Sequence, residues 1–324
     1  MSEHPTLVLR FDVESRHLER LRREFPDAGF TVATTPELLQ DVLKDAVALI
    51  GGGAVPVEAL AAAPKLRWIQ ATSAGVEEFL SLGLHERSIT LTNFSGINAP
   101  PIADHVLAML LAFARGLKPL LARQNEHAWP EGEAEAPATF EPAGQTIGIV
   151  GLGDIGEAVA TRAHGLGMRV LGLQRHPPAE PPPGVERVLA SDQLPDLLAE
   201  SDHIVLCLPL TDATEHLIGR EELRQMRPSA YLYNVGRGGL IDQEALVGAL
   251  RAGTIAGAGL DVVEPEPLPP DSPLWDLPNV IITGHTAGNS PQIWERGIEL
   301  LVDNVRRFLA GEPLRNKIDT RAGY

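Results

Sequence analysis

The chain has 324 residues, 44% hydrophobic and 22% charged, enough for two domains with ample buried core. A formal net charge of −16 is unsuited to nucleic acid or an anionic membrane surface, both of which demand clustered Lys and Arg. No apolar run reaches the roughly 18 residues of a membrane span, the polar start Met-Ser-Glu-His-Pro lacks a signal-peptide pattern, and a lone cysteine, Cys207, excludes an intrachain disulfide. The cytoplasm is the expected compartment.

Strand-like runs alternate with helical stretches almost throughout, which predicts an α/β fold of doubly wound parallel sheets with helices on both faces. The first hundred residues offer strands at 6–11, 30–33, 46–50, 66–70 and 89–92, enough for one small domain. A long apolar helix is expected over 102–116, with Pro100 and Pro101 at its start, where a missing N–H costs least. Residues 131–142, rich in Glu, Ala and Pro, read as an exposed loop. A second set of strands follows at 146–150, 169–173, 203–208, 230–235, 256–261 and 280–283, with a helix at 157–165, a stiff proline-rich loop at 177–184 and a closing helix at 291–309. Cys207 lies in an apolar run and reads as a buried strand residue rather than a nucleophile. The ten histidines are scattered without metal-ligand spacing, so no metal site is expected.

Gly151-Leu-Gly153-Asp154-Ile155-Gly156 follows a strand and opens a helix, the context dinucleotide binding requires. Gly151 permits the tight turn, Gly153 lets the backbone approach a pyrophosphate, and Gly156 lets helix and strand pack closely. The next strand ends Leu173-Gln174-Arg175-His176. No carboxylate stands there to hold ribose hydroxyls or repel a 2′-phosphate, and Arg175 is suited to pair with one. NADP(H) is therefore favoured, with NAD(H) as the alternative; a solvated surface role for Arg175 is the plainer reading.

Three further segments end predicted strands. Arg237 follows the strand at 230–235, Asp261, Glu264 and Glu266 cluster at the end of 256–261, and His285 follows 280–283. In an open α/β sheet that carboxyl edge is where ligands bind. Reduction of a 2-oxo acid needs such groups: a guanidinium to hold the carboxylate and polarise the ketone, and an imidazolium, oriented by a carboxylate, to deliver the proton. Taken singly, each has a plainer reading, Arg237 as an ion-pair arginine, His285 as a core histidine and the glutamates as loop acids.

Taken together and in this order, these segments resemble the D-isomer-specific 2-hydroxy acid dehydrogenase family, which includes glyoxylate and hydroxypyruvate reductases, over nearly the whole chain. Ala74-Gly75-Val76 resembles the family's loop whose amides bind the substrate carboxylate, and Asp104-His105-Val106 resembles its inter-domain helix. By this resemblance Arg237 binds substrate, Glu266 partners His285, His285 is the acid/base, and Asp261 lies near the nicotinamide. Pro209 and Val235 join Gly151, Gly153, Asp154, Ile155, Gly156, Gln174, Arg175 and Asp261 as cofactor-binding residues. Glu266 is preferred to Glu264 because it precedes a Pro-Leu pair, as in the family.

The resemblance further implies a two-domain Rossmann-like architecture. A discontinuous substrate domain (1–98 and 289–324) accompanies a dinucleotide-binding domain (99–288), and a homodimer forms around the helix beginning near Ile102. Three departures stand out: Asp104 replaces a usual Glu, Gly284 replaces the Pro usual before the catalytic His, and the acidic ribose-binding residue is absent. The expected product is the D-2-hydroxy acid, and small residues at 51–53 and Ala74 point to glyoxylate or hydroxypyruvate. Competing readings are a nicotinamide-binding sensor or corepressor without turnover, and a phosphite-type dehydrogenase. Glu266 weighs against a formate enzyme.

Overall fold

A computed structural model describes residues 4–53, 55–132 and 136–320. Parts of the sequence reading, the polar start at 1–3 and positions 133–135 of the acidic loop, lie outside these residues. The chain divides into two compact units, Met1–Ile97 with Pro291–Tyr324, and Asn98–Ser290.

The first unit is a five-stranded parallel sheet of β1 (Thr6–Arg10), β2 (Gly29–Val32), β3 (Ala46–Gly51), β4 (Trp68–Gln70) and β5 (Thr90–Thr92), in the order β2-β1-β3-β4-β5. Its interior strands are buried on both faces, which is why they read as unbroken apolar runs. Alternate residues serve opposite layers. Val8, Leu49, Ile69 and Leu91 pack on one side with residues of α2 (Pro36–Val42), α3 (Val57–Ala61) and α4 (Glu77–Leu80), following α1 (Ser15–Glu24) in the chain. Leu7, Leu9, Ile50 and Trp68 face the other side, where Leu21 of α1 meets the closing helix at Ile298, Leu301 and Val305. Each such fully buried aliphatic contributes about 2 kcal/mol relative to exposure.

The second unit opens with α5 (Ala99–Ala114), which starts three residues earlier than expected because prolines at its first positions are compatible with helix. It continues into α6 (Leu117–Asn125), not expected from the sequence, and then β6 (Thr146–Val150), α7 (Asp154–Gly165), β7 (Arg169–Leu173), β8 (Arg187–Leu189), α8 (Leu194–Glu200), β9 (His203–Leu206), α9 (Arg220–Gln225), β10 (Tyr231–Asn234), α10 (Gln243–Ala252), β11 (Gly257–Leu260) and β12 (Val280–Ile282). The last helix, α11 (Ile293–Ala310), belongs to the first unit. The strands form one seven-stranded parallel sheet, β12-β11-β10-β9-β6-β7-β8. Period-two alternation sends Ile204, Leu206 and Leu232 to a layer with α8, α9 and α10, and Ile147, Ile149, Val205 and Tyr233 to a layer with α5 and α7. Chain order reverses between β6 and β9, the switch point where such sheets open a crevice.

One register property positions the site residues of this unit. Ile282, Leu260, Asn234, Leu206, Val150, Leu173 and Leu189 pair in an unbroken row across all seven strands. The loops carrying the sequence-predicted residues of this unit all leave the sheet at that row.

Candidate active site

At the switch point, Gly151 has φ +99, and a Cβ there would meet the Cys207 backbone at 3.0 Å. Its N–H donates to the Leu173 carbonyl. A Cβ at Gly156 would collide with the Gly151 carbonyl oxygen, so only glycine lets α7 sit this close to the turn. Gly153, by contrast, would place a Cβ in open space and caps α7 without a side chain. First-turn helix amides lack intrahelical partners and carry the positive end of the dipole. An open glycine in front of them is a cradle that fits a pyrophosphate. Burial pushes the Cys207 thiol beside this turn up to about 12, so it stays a thiol at neutral pH. Past β7, Gln174 is half-buried and its N–H pairs with Leu189 of β8, while Arg175 and His176 are exposed.

Past β10, the fully buried Asn234 side chain organises the Arg237 loop. Its Oδ1 accepts from the Gly236 N–H at 3.1 Å and its Nδ2 donates to the Arg237 carbonyl at 2.8 Å. The sequence reading missed this residue; an Asn closing a strand before glycine is the signal for such a side-chain-built turn. Arg237 is half-buried and one guanidinium N–H reaches the Gly236 carbonyl at 2.9 Å. Gly238 is obligatory, since a Cβ would run into the Val263 carbonyl.

His285 Nδ1 stands 2.7 Å from Glu266 Oε2. Of the two glutamates, Glu266 is the one beside His285, while Glu264 lies 3.9 Å from His216. With Nδ1 held, Nε2 is the nitrogen available for proton transfer. The His285 backbone is at φ +59, next to Gly284 at φ +61. A non-glycine residue in the left-handed region is uncommon and persists only when its surroundings impose it.

Asp261 imposes it. This carboxylate is 4% exposed, and its oxygens accept from the Thr283 hydroxyl (2.6 Å), the Thr286 N–H (2.9 Å) and the Ala287 N–H (3.1 Å), while the Asp261 carbonyl accepts from the His285 N–H (2.6 Å). Thr283 in turn meets His105 Nε2 of α5 at 2.9 Å. Neighbouring Asp104, the departure noted in the sequence, pairs with Arg162 of α7 at 2.6 Å.

In the first unit, the carbonyls of Ser73, Ala74, Gly75 and Val76 all accept hydrogen bonds, the Ala74 one from Asn93 Nδ2 at 2.6 Å. Among the described residues, none of the Ala74, Gly75 and Val76 amides has a partner in the chain. A loop pinned by its carbonyls with its amides uncommitted is suited to an anion. Among the described residues, no group of three His, Cys, Asp or Glu is placed to hold a metal ion. No single helix there is long and apolar enough to cross a membrane.

A nucleotide cradle at the switch point, with a histidine–carboxylate pair further along the same sheet edge, is the working arrangement of a nicotinamide-dependent oxidoreductase. Residues 107–287 match the family model described as the NAD binding domain of D-isomer specific 2-hydroxyacid dehydrogenase. Glyoxylate/hydroxypyruvate reductase B of Pectobacterium carotovorum is 41% identical over 299 residues, covering 90% of this chain and 92% of that protein. A D-isomer specific 2-hydroxyacid dehydrogenase family protein from Aeromonas salmonicida superposes with a TM-score of 0.84 at 34% identity, covering 98% of this chain and 99% of that one. A D-isomer specific 2-hydroxyacid dehydrogenase from Xanthobacter autotrophicus, solved with NADPH and MES, gives a TM-score of 0.81 at 30% identity, with 99% and 100% coverage. The chain belongs to the D-isomer specific 2-hydroxyacid dehydrogenase family. Its chemistry is hydride transfer between a nicotinamide nucleotide and a 2-oxo acid.

Proposed function

We propose that the chain reduces glyoxylate, hydroxypyruvate or a 2-oxo acid of similar size to the D-2-hydroxy acid, with NADPH as preferred reductant and His285 as the acid. The observation that carries this reading is the Glu266–His285 pair at 2.7 Å. The name of the Pectobacterium relative supports the substrate class, and the NADPH held by the Xanthobacter relative supports the cofactor. Exposed Arg175, with no acid at 174–176, supports NADP over NAD.

Residues 151–156 hold the nucleotide's pyrophosphate, Gln174 and Arg175 its ribose-phosphate end, and Pro209, Val235 and Asp261 complete its contacts. Bound there, the nicotinamide supplies the hydride that reaches C2, chemistry no side chain here provides. Arg237 takes the substrate carboxylate and polarises the ketone. In the first unit, the uncommitted amides of Ala74, Gly75 and Val76 are suited to a carboxylate. Protonated His285 donates Nδ1–H to Glu266 and Nε2–H to the ketone oxygen. As C2 gains hydride, the oxygen gains the Nε2 proton, which leaves a neutral imidazole still anchored through Nδ1–H. His285 is solvent-exposed and can reload its proton from water.

The unit containing Gly151 serves the nucleotide and the other the substrate. Exposed Leu117 and Leu121 on α6, and Trp129 beyond it at 88% exposure, support a homodimer through this face. One cysteine and an acidic surface support work in the cytoplasm.

Initial rates across a panel of 2-oxo acids, with NADPH and NADH in parallel, test the reading. The highest kcat/KM is expected for glyoxylate or hydroxypyruvate with NADPH. A strong NADH preference contradicts the cofactor assignment alone. Tight cofactor binding with no turnover of any acid contradicts the enzymatic reading and favours a sensor.

A further inference from the structure

We infer that His105, on α5, is a positioning residue for the acid–base histidine, acting through Thr283 and Asp261. The inference rests on His285 being the acid, as proposed above.

The hydrogen-bond directions are forced by chemistry. Thr283 Oγ1 lies 2.6 Å from Asp261 Oδ1, and an ionised carboxylate only accepts, so the single hydroxyl proton points to Asp261. At 2.9 Å from the same oxygen, His105 Nε2 must then be the donor, carrying its proton on Nε2. His105 Nε2 is also 3.8 Å from Asp261 Oδ1, too far for a direct bond, so Thr283 is the link. Only this orientation of the hydroxyl satisfies both neighbours.

The consequence lies two residues away. Gly284 and His285 occupy consecutive left-handed conformations, and the turn they form is held on both sides by Asp261, at Thr283 before it and at Thr286 and Ala287 after it. The strain of a left-handed histidine is tolerated only while that clamp is closed. His105 is three-quarters buried and sits on a sixteen-residue helix whose Ala103, Val106 and Leu110 are fully buried, so it offers a rigid anchor. Removing its N–H frees the Thr283 hydroxyl to rotate, loosens one side of the clamp and lets the imidazole leave its line to the ketone. A misplacement of about 1 Å at a reacting group can cost about a hundredfold in rate. This chain of contacts spares the glycine cradle and Arg175 and meets the proposed nucleotide site only at Asp261, so nucleotide affinity is expected to change far less than kcat.

The test compares His105→Phe, His105→Gln, Thr283→Val and the His105→Phe/Thr283→Val pair in the full-length protein. Phenylalanine removes the donor, whereas glutamine keeps an amide N–H at a similar reach. His105→Phe and Thr283→Val are each expected to lower kcat about tenfold or more with a far smaller change in NADPH affinity, and the pair to be no worse than either, the signature of one shared linkage. His105→Gln is expected to restore most of the lost kcat. Amide hydrogen exchange over 283–287, which needs no turnover, is expected to speed up in His105→Phe and recover in His105→Gln.

Unchanged exchange and unchanged kcat in His105→Phe, or additive losses in the pair, would overturn the inference. So would equal losses in the Phe and Gln variants, which would indicate packing alone. His285→Gln in the same assays separates this failure from that of the mechanism: if it turns over normally, His285 is not the acid, whatever His105 does.

Discussion

Glu266 and His285 stand 19 residues apart in sequence, yet Oε2 and Nδ1 meet at 2.7 Å. The loop after β11 bends back to the loop after β12, and the pair forms where these two strands leave the common edge row. Replacing Glu266 with Gln keeps the size but removes the charge that balances a protonated imidazole. Stopped-flow and steady-state rates are expected to show kcat lowered by about 10- to 100-fold, with NADPH dissociation unchanged.

The glycine turn separates packing from ligand access. Gly156→Ala drives a methyl into the Gly151 carbonyl, so both stability and cofactor binding are expected to suffer, the former by about 1–3 kcal/mol. Gly153→Ala meets nothing in the folded chain. Its unfolding midpoint should match the parent while titration calorimetry shows weaker NADPH binding, because the methyl points where the pyrophosphate approaches. Equal loss of stability in both variants would contradict this assignment.

Gly284 is where this chain departs from the proline its family resemblance suggested. Its φ of +61 is outside the reach of proline, whose ring fixes φ near −65°. Gly284→Ala, with open space for its methyl, is expected to cost about 1 kcal/mol from backbone conformation alone, read by chemical denaturation. Gly284→Pro is expected to lose more stability than that, and most activity, since the turn must change shape around His285.

Away from the site, His203 is buried between Tyr231 and Tyr233 and bonds Gln145 at 2.8 Å. Burial pushes it down to about 4 from an ordinary 6.5, with Asp202 opposing weakly. The folded state then binds fewer protons than the unfolded one between those values, so stability falls as pH drops from 6.5 towards 4 and is insensitive to this group above 6.5. The full loss is about 3 kcal/mol. Urea denaturation between pH 4.5 and 7.5 should show this slope, and His203→Gln should flatten it.

Much of the fold was legible because buried parallel strands advertise themselves. β6 and β7 have the expected ends, residue for residue, since their apolar runs stop where the glycine turn and the Gln174-Arg175 pair begin. The runs at 203–208, 230–235 and 256–261 were read too long at one or both ends. Cys207, Leu208, Val235 and Asp261 continue the apolar or strand-like pattern but already belong to the loops that build the site. α6 escaped because it contains Pro119 and buries no residue, so it carries no periodic apolar face. β8 escaped because a three-residue edge strand with an arginine resembles a loop. The pair His105 and Thr283, 178 residues apart, had no local signal at all. Asp104-His105 was visible as a helix feature, but its partner is chosen by how α5 lies against the end of β12.

The most direct test of the account is the turnover of His285→Gln with NADPH and the best 2-oxo acid of the parent protein, with NADPH affinity measured alongside by nucleotide fluorescence. The account predicts kcat reduced by at least about a hundredfold, the lower bound of what a positioned acid contributes, with NADPH affinity intact. Near-parental turnover with intact binding would contradict it, and the proton would then have to come from another group at the edge of the seven-stranded sheet.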